Sequence, residues 1–122
     1  MGSADLGMAM HEVSLIENVI ALVEQERRKQ VFARVNMIRL TVGVLGHAEP
    51  DALRFCFDAV AAGTIAEGAR LEIETVPGEG WCADCGRTVP IEELFGPCPV
   101  CAGVRVRMTG GDALRLAEME VE

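Results

Sequence analysis

Four of the five cysteines in this 122-residue chain form two Cys-x-x-Cys pairs. They lie in WCADCGRTVPIEELFGPCPVCAG, where Cys82 pairs with Cys85 and Cys98 with Cys101. Two such pairs can bring four thiolates into the tetrahedral cage that Zn²⁺ takes in structural sites. Because a closed cage leaves no position for a substrate, the spacing predicts a structural zinc ion that replaces a hydrophobic core in this segment.

Three other uses of these cysteines stay open at the level of the sequence. A redox dithiol needs only one Cys-x-x-Cys, so the second pair argues against it. Iron in a rubredoxin-like site takes the same four ligands, but the aromatic shell expected around a redox iron is missing. A nucleic-acid-binding ribbon needs a basic face, whereas arginines and acidic residues alternate here. Cys56 stands apart on a predicted helix, and we expect it to be buried and inert.

The chain has two histidines, His11 and His47. Imidazole is a ligand for zinc, copper, iron and nickel, and His11 is followed directly by the carboxylate of Glu12. From the residues alone, the simpler interpretation of His11 is a solvated histidine at the start of a helix, next to an acid that complements the helix dipole. His47, in GHAEPD, is by the same reasoning a loop residue.

Hydrophobic periodicity predicts the elements that position these residues. Apolar residues at helical spacing predict a helix from Glu12 to about Gln30, and alternation in VNMIRLTVGV predicts a strand with one exposed face. Pro50, flanked by Glu49 and Asp51, predicts the start of a second helix. Further strands are predicted in GARLEIETVP, VRVRMTGG and ALRLAEMEVE. The last strand is expected to return to the first sheet, which makes the cysteine segment an insertion.

Composition and charge limit the classes of partner. Aromatic residues make up only 4% of the chain, so the core must be aliphatic. The formal net charge is -8, which disfavours nucleic acid and anionic membranes as partners. No apolar run is long enough to span a bilayer, and no basic region precedes an apolar one as in a signal peptide. We therefore expect a cytoplasmic protein with no nucleic-acid or membrane partner.

Several separated motifs together resemble the HypA/HybF family of hydrogenase nickel-incorporation proteins. They are MHEVSLIENVI, EPDALRFCFDAV, GTIAEGARLEIETVPG, WCADCG, PCPVC and TGGDALRL, and they extend over nearly the whole chain from Met10 to Glu122. The resemblance implies an α+β fold, in which a small α/β nickel-binding domain of two helices on a three-stranded sheet carries an inserted four-cysteine zinc ribbon. The expected boundaries are 10–76 and 112–122 for the first domain and 77–111 for the ribbon, with 1–9 as a flexible N-terminal extension.

The resemblance also implies a function. Members of the family are metallochaperones rather than enzymes. They receive Ni²⁺ and, with a HypB-type GTPase, pass it to the large subunit of a [NiFe] hydrogenase. Some relatives serve urease, which adds urease maturation factors to the expected partners. The alternative from another class is a zinc-ribbon adaptor that makes protein contacts without transferring nickel.

Site residues follow by matching positions to the family motifs. Met10, His11 and Glu12 match the Met-His-Glu nickel motif, and the four paired cysteines match the zinc ligands. Glu49 aligns with an acidic position near nickel in some relatives. The family motif begins with a free amine that can bind nickel, whereas residues 1–9 precede it here. His47 is therefore a further candidate donor, in place of that amine.

Overall fold

The computed structural model describes the backbone of residues 4–122 and the side chains from His11 onward. Two helices and six strands follow in the order α1 (Ala4–Lys29), β1 (Val35–Gly43), α2 (Pro50–Ala61), β2 (Arg70–Val76), β3 (Gly78–Cys82), β4 (Arg87–Ile91), β5 (Val106–Gly110) and β6 (Leu114–Val121). The strands form two three-stranded sheets, ordered β2-β1-β6 and β4-β3-β5. Since β2 and β6 flank β1, the strands between them in sequence form an insertion, and the predicted α+β fold is confirmed.

The first compact unit comprises the chain up to Leu40, Ala48–Ile73 and Leu116–Glu122, and we call it the helical unit. Its core is mainly aliphatic, as the composition predicts, with Phe57 as an aromatic member, and is drawn from α1, β1 and α2. The side chains that are at most 2% exposed include Ile16, Val19, Val23, Ile38, Leu40, Leu53 and Phe57. Helical spacing in α1 and α2 and alternation in β1 place these residues on single faces of their elements. Among the described residues, no helix combines the length and hydropathy needed to cross a membrane.

The first helix begins earlier than its periodicity predicts. It starts at Ala4 rather than at Glu12, so the Met10-His11-Glu12 motif lies inside α1 and not at its first turn. The preceding stretch ADLGMA consists mostly of residues with high helix propensity, which favours the earlier start.

The exposed face of the first sheet carries an ion-pair network around Arg39 of β1. Its Nε and one terminal nitrogen donate to Oε1 of Glu72 at 3.2 and 2.9 Å, and the other terminal nitrogen bonds Glu118. Arg70 donates to Oε2 of Glu72 at 2.9 Å. Hydrogen bonds from Arg39 and then Arg70 lower the pKa of Glu72 below its ordinary value. These strand residues confirm the exposed face predicted for β1.

The second compact unit comprises Thr41–His47 and Glu74–Arg115, and we call it the ribbon unit. Strand β3 pairs antiparallel with β4 and β5, so that Trp81 lies opposite Thr88 on one side and Arg107 on the other. Around the cysteines of this unit, Cys82, Val89, Ile91 and Cys98 form a small buried cluster, with Leu45, Cys85, Val106 and Met108 packed against it. Two of the four buried residues in this cluster are therefore cysteines.

In the ribbon unit, glycine allows the end of β1 and the loop after it to approach the segment between β5 and β6 closely. The Leu45 amide donates to the Gly111 carbonyl at 2.8 Å, and the Gly43 amide donates to the Ala113 carbonyl at 3.0 Å. Gly111 has φ 88°, and a Cβ there would overlap the Pro77 carbonyl and the Cα of Gly78. Only glycine meets both requirements, which accounts for Gly111 immediately after β5.

Candidate metal centres

The four paired cysteines converge on one point of the ribbon unit. All four Sγ atoms lie within 4.8 Å of one another. The Cys82–Cys101 and Cys85–Cys98 sulfur distances are 3.6 and 3.9 Å. In a regular tetrahedral zinc site with Zn–S bonds of about 2.3 Å, neighbouring sulfurs lie about 3.8 Å apart. The separations are too long for disulfides and fit a single structural zinc ion held by all four thiolates.

Two matching backbone turns bring together the two cysteines within each pair. The Gly86 amide donates to the Cys82 carbonyl at 2.8 Å, and the Ala102 amide donates to the Cys98 carbonyl at the same distance. Both turns end in the left-handed region, with φ 67° at Gly86 and 62° at Ala102. The first turn has the glycine that this conformation favours, whereas the second places alanine there, a costlier choice.

Hydrogen bonds and burial give the thiols different acidities in the absence of metal. Burial acts to raise the pKa of Cys98, but donation to its Sγ from the Cys101 and Val100 amides, together with the neighbouring thiols, outweighs burial and lowers it to about 7. Burial and the surrounding thiols raise the pKa of Cys85 to about 12. Four neighbouring thiolates repel one another, so a divalent cation is what makes the fully ionised set favourable.

In the Met10-His11-Glu12 motif, the side chains of His11 and Glu12 lie in different environments. His11 is exposed on α1, whereas the next residue, Glu12, is only 4% exposed. Successive residues in an α-helix are rotated by about 100°, which separates the two side chains. Oε2 of Glu12 accepts a hydrogen bond from the Glu49 amide at 3.2 Å. Met10 belongs to α1, but its side chain lies outside the described residues.

Glu49 caps the second helix. It is the N-cap residue of α2, and its Oε1 accepts from the Asp51 amide at 3.1 Å. The first amides of a helix have no partner within the helix, and its N-terminus carries a partial positive charge. The carboxylates of Glu12 and Glu49 thus each accept a backbone amide at the start of α2, a position that favours negative charge. The structure brings together these two predicted nickel-site residues of the helical unit.

His47 lies in the loop after β1 and is exposed. It falls in the ribbon unit, whereas His11, Glu12 and Glu49 fall in the helical unit. Apart from the cysteine cage, no group of three or more His, Cys, Asp or Glu ligand atoms lies close enough for one metal ion among the side chains that the structure describes. The assignment of nickel ligands therefore stays a prediction.

Cys56 is half-buried on α2 rather than fully buried. It lies one position before Phe57, at the edge of the buried stripe of the helix, and its Sγ is 3.7 Å from the Leu53 carbonyl oxygen. Burial raises the pKa of the Cys56 thiol, and the charge of Glu12 adds to the shift. A thiol held in its neutral form is a poor nucleophile and a poor metal ligand, in agreement with the expected inert role.

Sequence reasoning missed the contact between Glu12 and the start of α2. Nothing in the spacing of residues along α1 identifies a buried carboxylate, because its partner lies 37 residues away. The cap itself had a detectable signal, since Glu49 precedes Pro50 and Asp51, and proline at the first helical position is common.

Fold and site together define a small α+β protein with an inserted four-cysteine zinc ribbon. The family model described as "Hydrogenase/urease nickel incorporation, metallochaperone, hypA" matches residues 10–121. The chain therefore belongs to the HypA family of nickel-incorporation metallochaperones.

Individual relatives agree with this family. The hydrogenase maturation factor HypA of Methylocella silvestris is 71% identical over 113 residues, which is 93% of this chain and all of that protein. The factor of the same name from Rhizobium leguminosarum bv. viciae is 54% identical, over 92% of this chain and 99% of that protein. A solution structure of the Ni metallochaperone HypA from Helicobacter pylori covers 90% of this chain and 96% of its own, with a TM-score of 0.68 at 23% identity, which establishes a shared fold.

Proposed function

We propose that this protein binds Ni²⁺ through Met10, His11 and Glu12 and delivers it, with a HypB-type GTPase, to the large subunit of a [NiFe] hydrogenase. The observation that carries the proposal is the family match over residues 10–121, which includes both the motif and the cysteine cage. The protein acts as a cytoplasmic carrier that binds and releases a cargo without turning over a substrate. Zinc remains in the cage while nickel is exchanged.

The domain assignment belongs to the same proposal. We assign nickel binding to residues 10–76 and 112–122 and the zinc ribbon to residues 77–111. Urease maturation factors form a second class of partner, since the family description names urease beside hydrogenase.

His11 is the central ligand of the proposed nickel site. Its exposed imidazole lets a metal ion enter and leave by ligand exchange, as a carrier requires. Glu12 has a different constraint, because its carboxylate is buried and already accepts the Glu49 amide. A nickel ion that uses this carboxylate must reach it at the N-terminus of α2, where Glu49 is a further candidate donor. His47 is the candidate from the ribbon unit.

Backbone nitrogens are the other local donors, and the helix restricts them. Amides of Met10, His11 and Glu12 lie beyond the first four residues of a helix that begins at Ala4, so each belongs to the hydrogen-bonded part of α1. Coordination through such a nitrogen requires the first turns of α1 to unwind. We therefore expect nickel binding to lower helicity, measured by circular dichroism at 222 nm.

The decisive experiment is His11→Ala with nickel titration calorimetry. We expect loss of about one equivalent of nickel binding, while zinc content and helicity stay unchanged. His47→Ala is the companion variant, since it removes the other exposed imidazole and tests whether His47 is also a nickel donor. Unchanged nickel affinity in the His11 variant contradicts the assignment and leaves the zinc-ribbon adaptor as the function.

A companion titration compares the full chain with a chain that begins at Met10. If a terminal amine at Met10 is a nickel donor, the shorter chain binds more tightly and loses less helicity. Equal binding by the two forms shows that the amine is dispensable and directs attention to His47 and Glu49.

A further inference from the structure

The loop between β4 and the second cysteine pair exposes a large apolar side chain. Phe95 is 100% exposed, and the preceding Leu94 is 42% exposed. Phe95 also has φ 65°, in the left-handed region that costs free energy for a bulky residue. The next residue is Gly96, which would take that conformation without strain, yet the strained position is occupied by phenylalanine. Both features disfavour the isolated chain, and such local outliers cluster at binding sites.

An apolar groove with an acidic edge lies beside this tip. It has a volume of about 400 Å³, and Glu92, Glu93, Pro90, Ile91, Pro97 and Pro99 are among its lining residues. Glu92 and Glu93 are exposed, and the Glu93 side chain lies close to Gly96. An exposed aromatic side chain next to proline-lined apolar surface and two carboxylates has the composition of an interface anchor with a charged rim.

Charge and backbone chemistry limit the kind of partner that can bind to this loop. Anionic membranes and nucleic acids are repelled by Glu92 and Glu93 and by a chain of net charge -8. A second copy docked by the same loop would bring its own Glu92 and Glu93 against these carboxylates, because a two-fold interface pairs a surface with itself. Pro90 removes a backbone donor from β4, an edge of its sheet, which disfavours addition of a peptide strand there.

We propose that the loop 92–97 is a docking element that inserts Phe95 into an apolar pocket with a lysine- or arginine-rich rim on a partner protein. Leu94 widens the apolar contact, while Glu92 and Glu93 meet the basic rim and steer the encounter. The docking element requires the folded ribbon unit but no bound nickel. It is therefore separable from the nickel site of the helical unit.

Two substitutions at one position separate the ring from the backbone strain. Phe95→Ala removes the ring and keeps a Cβ in the left-handed region, whereas Phe95→Gly removes both. The probes are a purified HypB-type GTPase and a purified precursor of the hydrogenase large subunit, with affinity measured by biolayer interferometry. We expect both variants to weaken binding of at least one probe by about tenfold or more, as truncation of an aromatic anchor does. We expect Phe95→Gly to unfold at a higher temperature than wild type.

Phe55→Ala is the matched control. Phe55 is 90% exposed on α2, so its removal deletes an equally solvated ring from the helical unit. We expect it to leave both affinities unchanged. The double variant Glu92→Lys with Glu93→Lys is expected to associate with the probe more slowly than wild type. Added salt, which weakens binding of wild type, is expected to strengthen binding of this variant.

The proposal is overturned if wild type and both Phe95 variants bind the two probes equally, or if neither probe binds wild type. It is also overturned if the Phe95 variants change only self-association in sedimentation, or only binding to phosphatidylcholine–phosphatidylglycerol vesicles. Nickel titration of the same variants keeps this proposal distinct from the proposed function. The Phe95 variants are expected to retain nickel binding, whereas His11→Ala is expected to lose nickel while keeping probe affinity.

Discussion

The two compact units are stabilised by different means. The helical unit buries a continuous set of aliphatic side chains from α1, β1 and α2. The cluster around the cage in the ribbon unit contains only Val89 and Ile91 beside two cysteines, with four partly buried side chains packed against them. In the first unit, stability comes from apolar area removed from water, whereas in the second it depends on a metal ion that four thiolates hold.

One short chain therefore combines two sources of stability, which differ in their sensitivity to substitution. A core of aliphatic residues tolerates small changes because many contacts share the free energy. A cage of four ligands fails when any one ligand is lost, because a single ion supplies most of the stabilisation. The following tests are designed to separate the two cases.

Removal of the cage is expected to have the largest effect. Cys98→Ser, or removal of zinc by a chelator, should unfold the ribbon unit, because structural zinc contributes on the order of 10 kcal/mol in small zinc domains. Trp81 is the only tryptophan and lies in β3, so its fluorescence reports the ribbon unit. Ellipticity at 222 nm reports α1 and α2 and should be retained. Parallel loss of both signals would show that the units unfold together.

Core truncation in the helical unit is expected to have the next largest effect. Phe57 is 2% exposed, and Phe57→Ala should lower the free energy of unfolding by about 3–5 kcal/mol through lost burial and a residual cavity. Urea denaturation followed at 222 nm measures this change. Phe55→Ala, two residues earlier on an exposed face, should change it by less than about 0.5 kcal/mol. Zinc content is expected to stay at one ion per chain in both variants.

The turns Cys82–Gly86 and Cys98–Ala102, which follow the first cysteine of each pair, provide a test with a smaller expected effect. Gly86→Ala should destabilise the ribbon unit by about 1 kcal/mol, since a Cβ at φ 67° meets no atom within 4 Å and only the backbone conformation is penalised. Ala102→Gly should relieve the corresponding strain in the second turn, by less than about 1 kcal/mol because glycine also gains unfolded-state entropy. Competition with a chelator, monitored by Trp81 fluorescence, measures both. Destabilisation by Ala102→Gly would contradict the strain argument.

The smallest expected effect concerns the exposed network on the first sheet. Because Arg39 and Arg70 lower the pKa of Glu72, this carboxylate stabilises the folded state above its ordinary pKa of 4.5, and the contribution is lost as pH falls through the lowered value. Glu72→Gln should therefore slightly lower the melting temperature at neutral pH. The difference from wild type should disappear well below pH 4.5, where Glu72 becomes protonated in both folded and unfolded chains. A difference that persists in acid would point to packing instead of charge.

Much of the fold could be predicted from local patterns. Apolar spacing located both helices and the first strand, because a residue's position on a face follows from its separation along the chain. Pro50 and Glu49 predicted where α2 begins, and the structure confirms the cap. The start of α1 was predicted too late, since the helix begins at Ala4, in a stretch whose Ala, Leu and Met residues have high helix propensity.

Two features of the candidate sites could not be predicted from the sequence, because they depend on the tertiary structure. The burial of Glu12 depends on the Glu49 amide, and no local pattern carries that information. The left-handed conformation of Phe95 is likewise unexpected for its residue type, so the strain that supports the docking proposal is visible only in three dimensions. The proximity of the two cysteines within each pair, by contrast, follows from two short turns with the same local geometry.

The sequence alone was enough to predict a mainly aliphatic core and the four cysteines of the zinc cage, because both depend on residue type and short-range spacing. Only the tertiary structure decided that the carboxylate of Glu12 is buried against the start of α2 while the neighbouring His11 is exposed. It also decided that Phe95 is fully exposed in a strained backbone conformation. The physical reason is that burial of a polar group and exposure of an apolar one are set by partners distant in the chain, which local propensity does not encode.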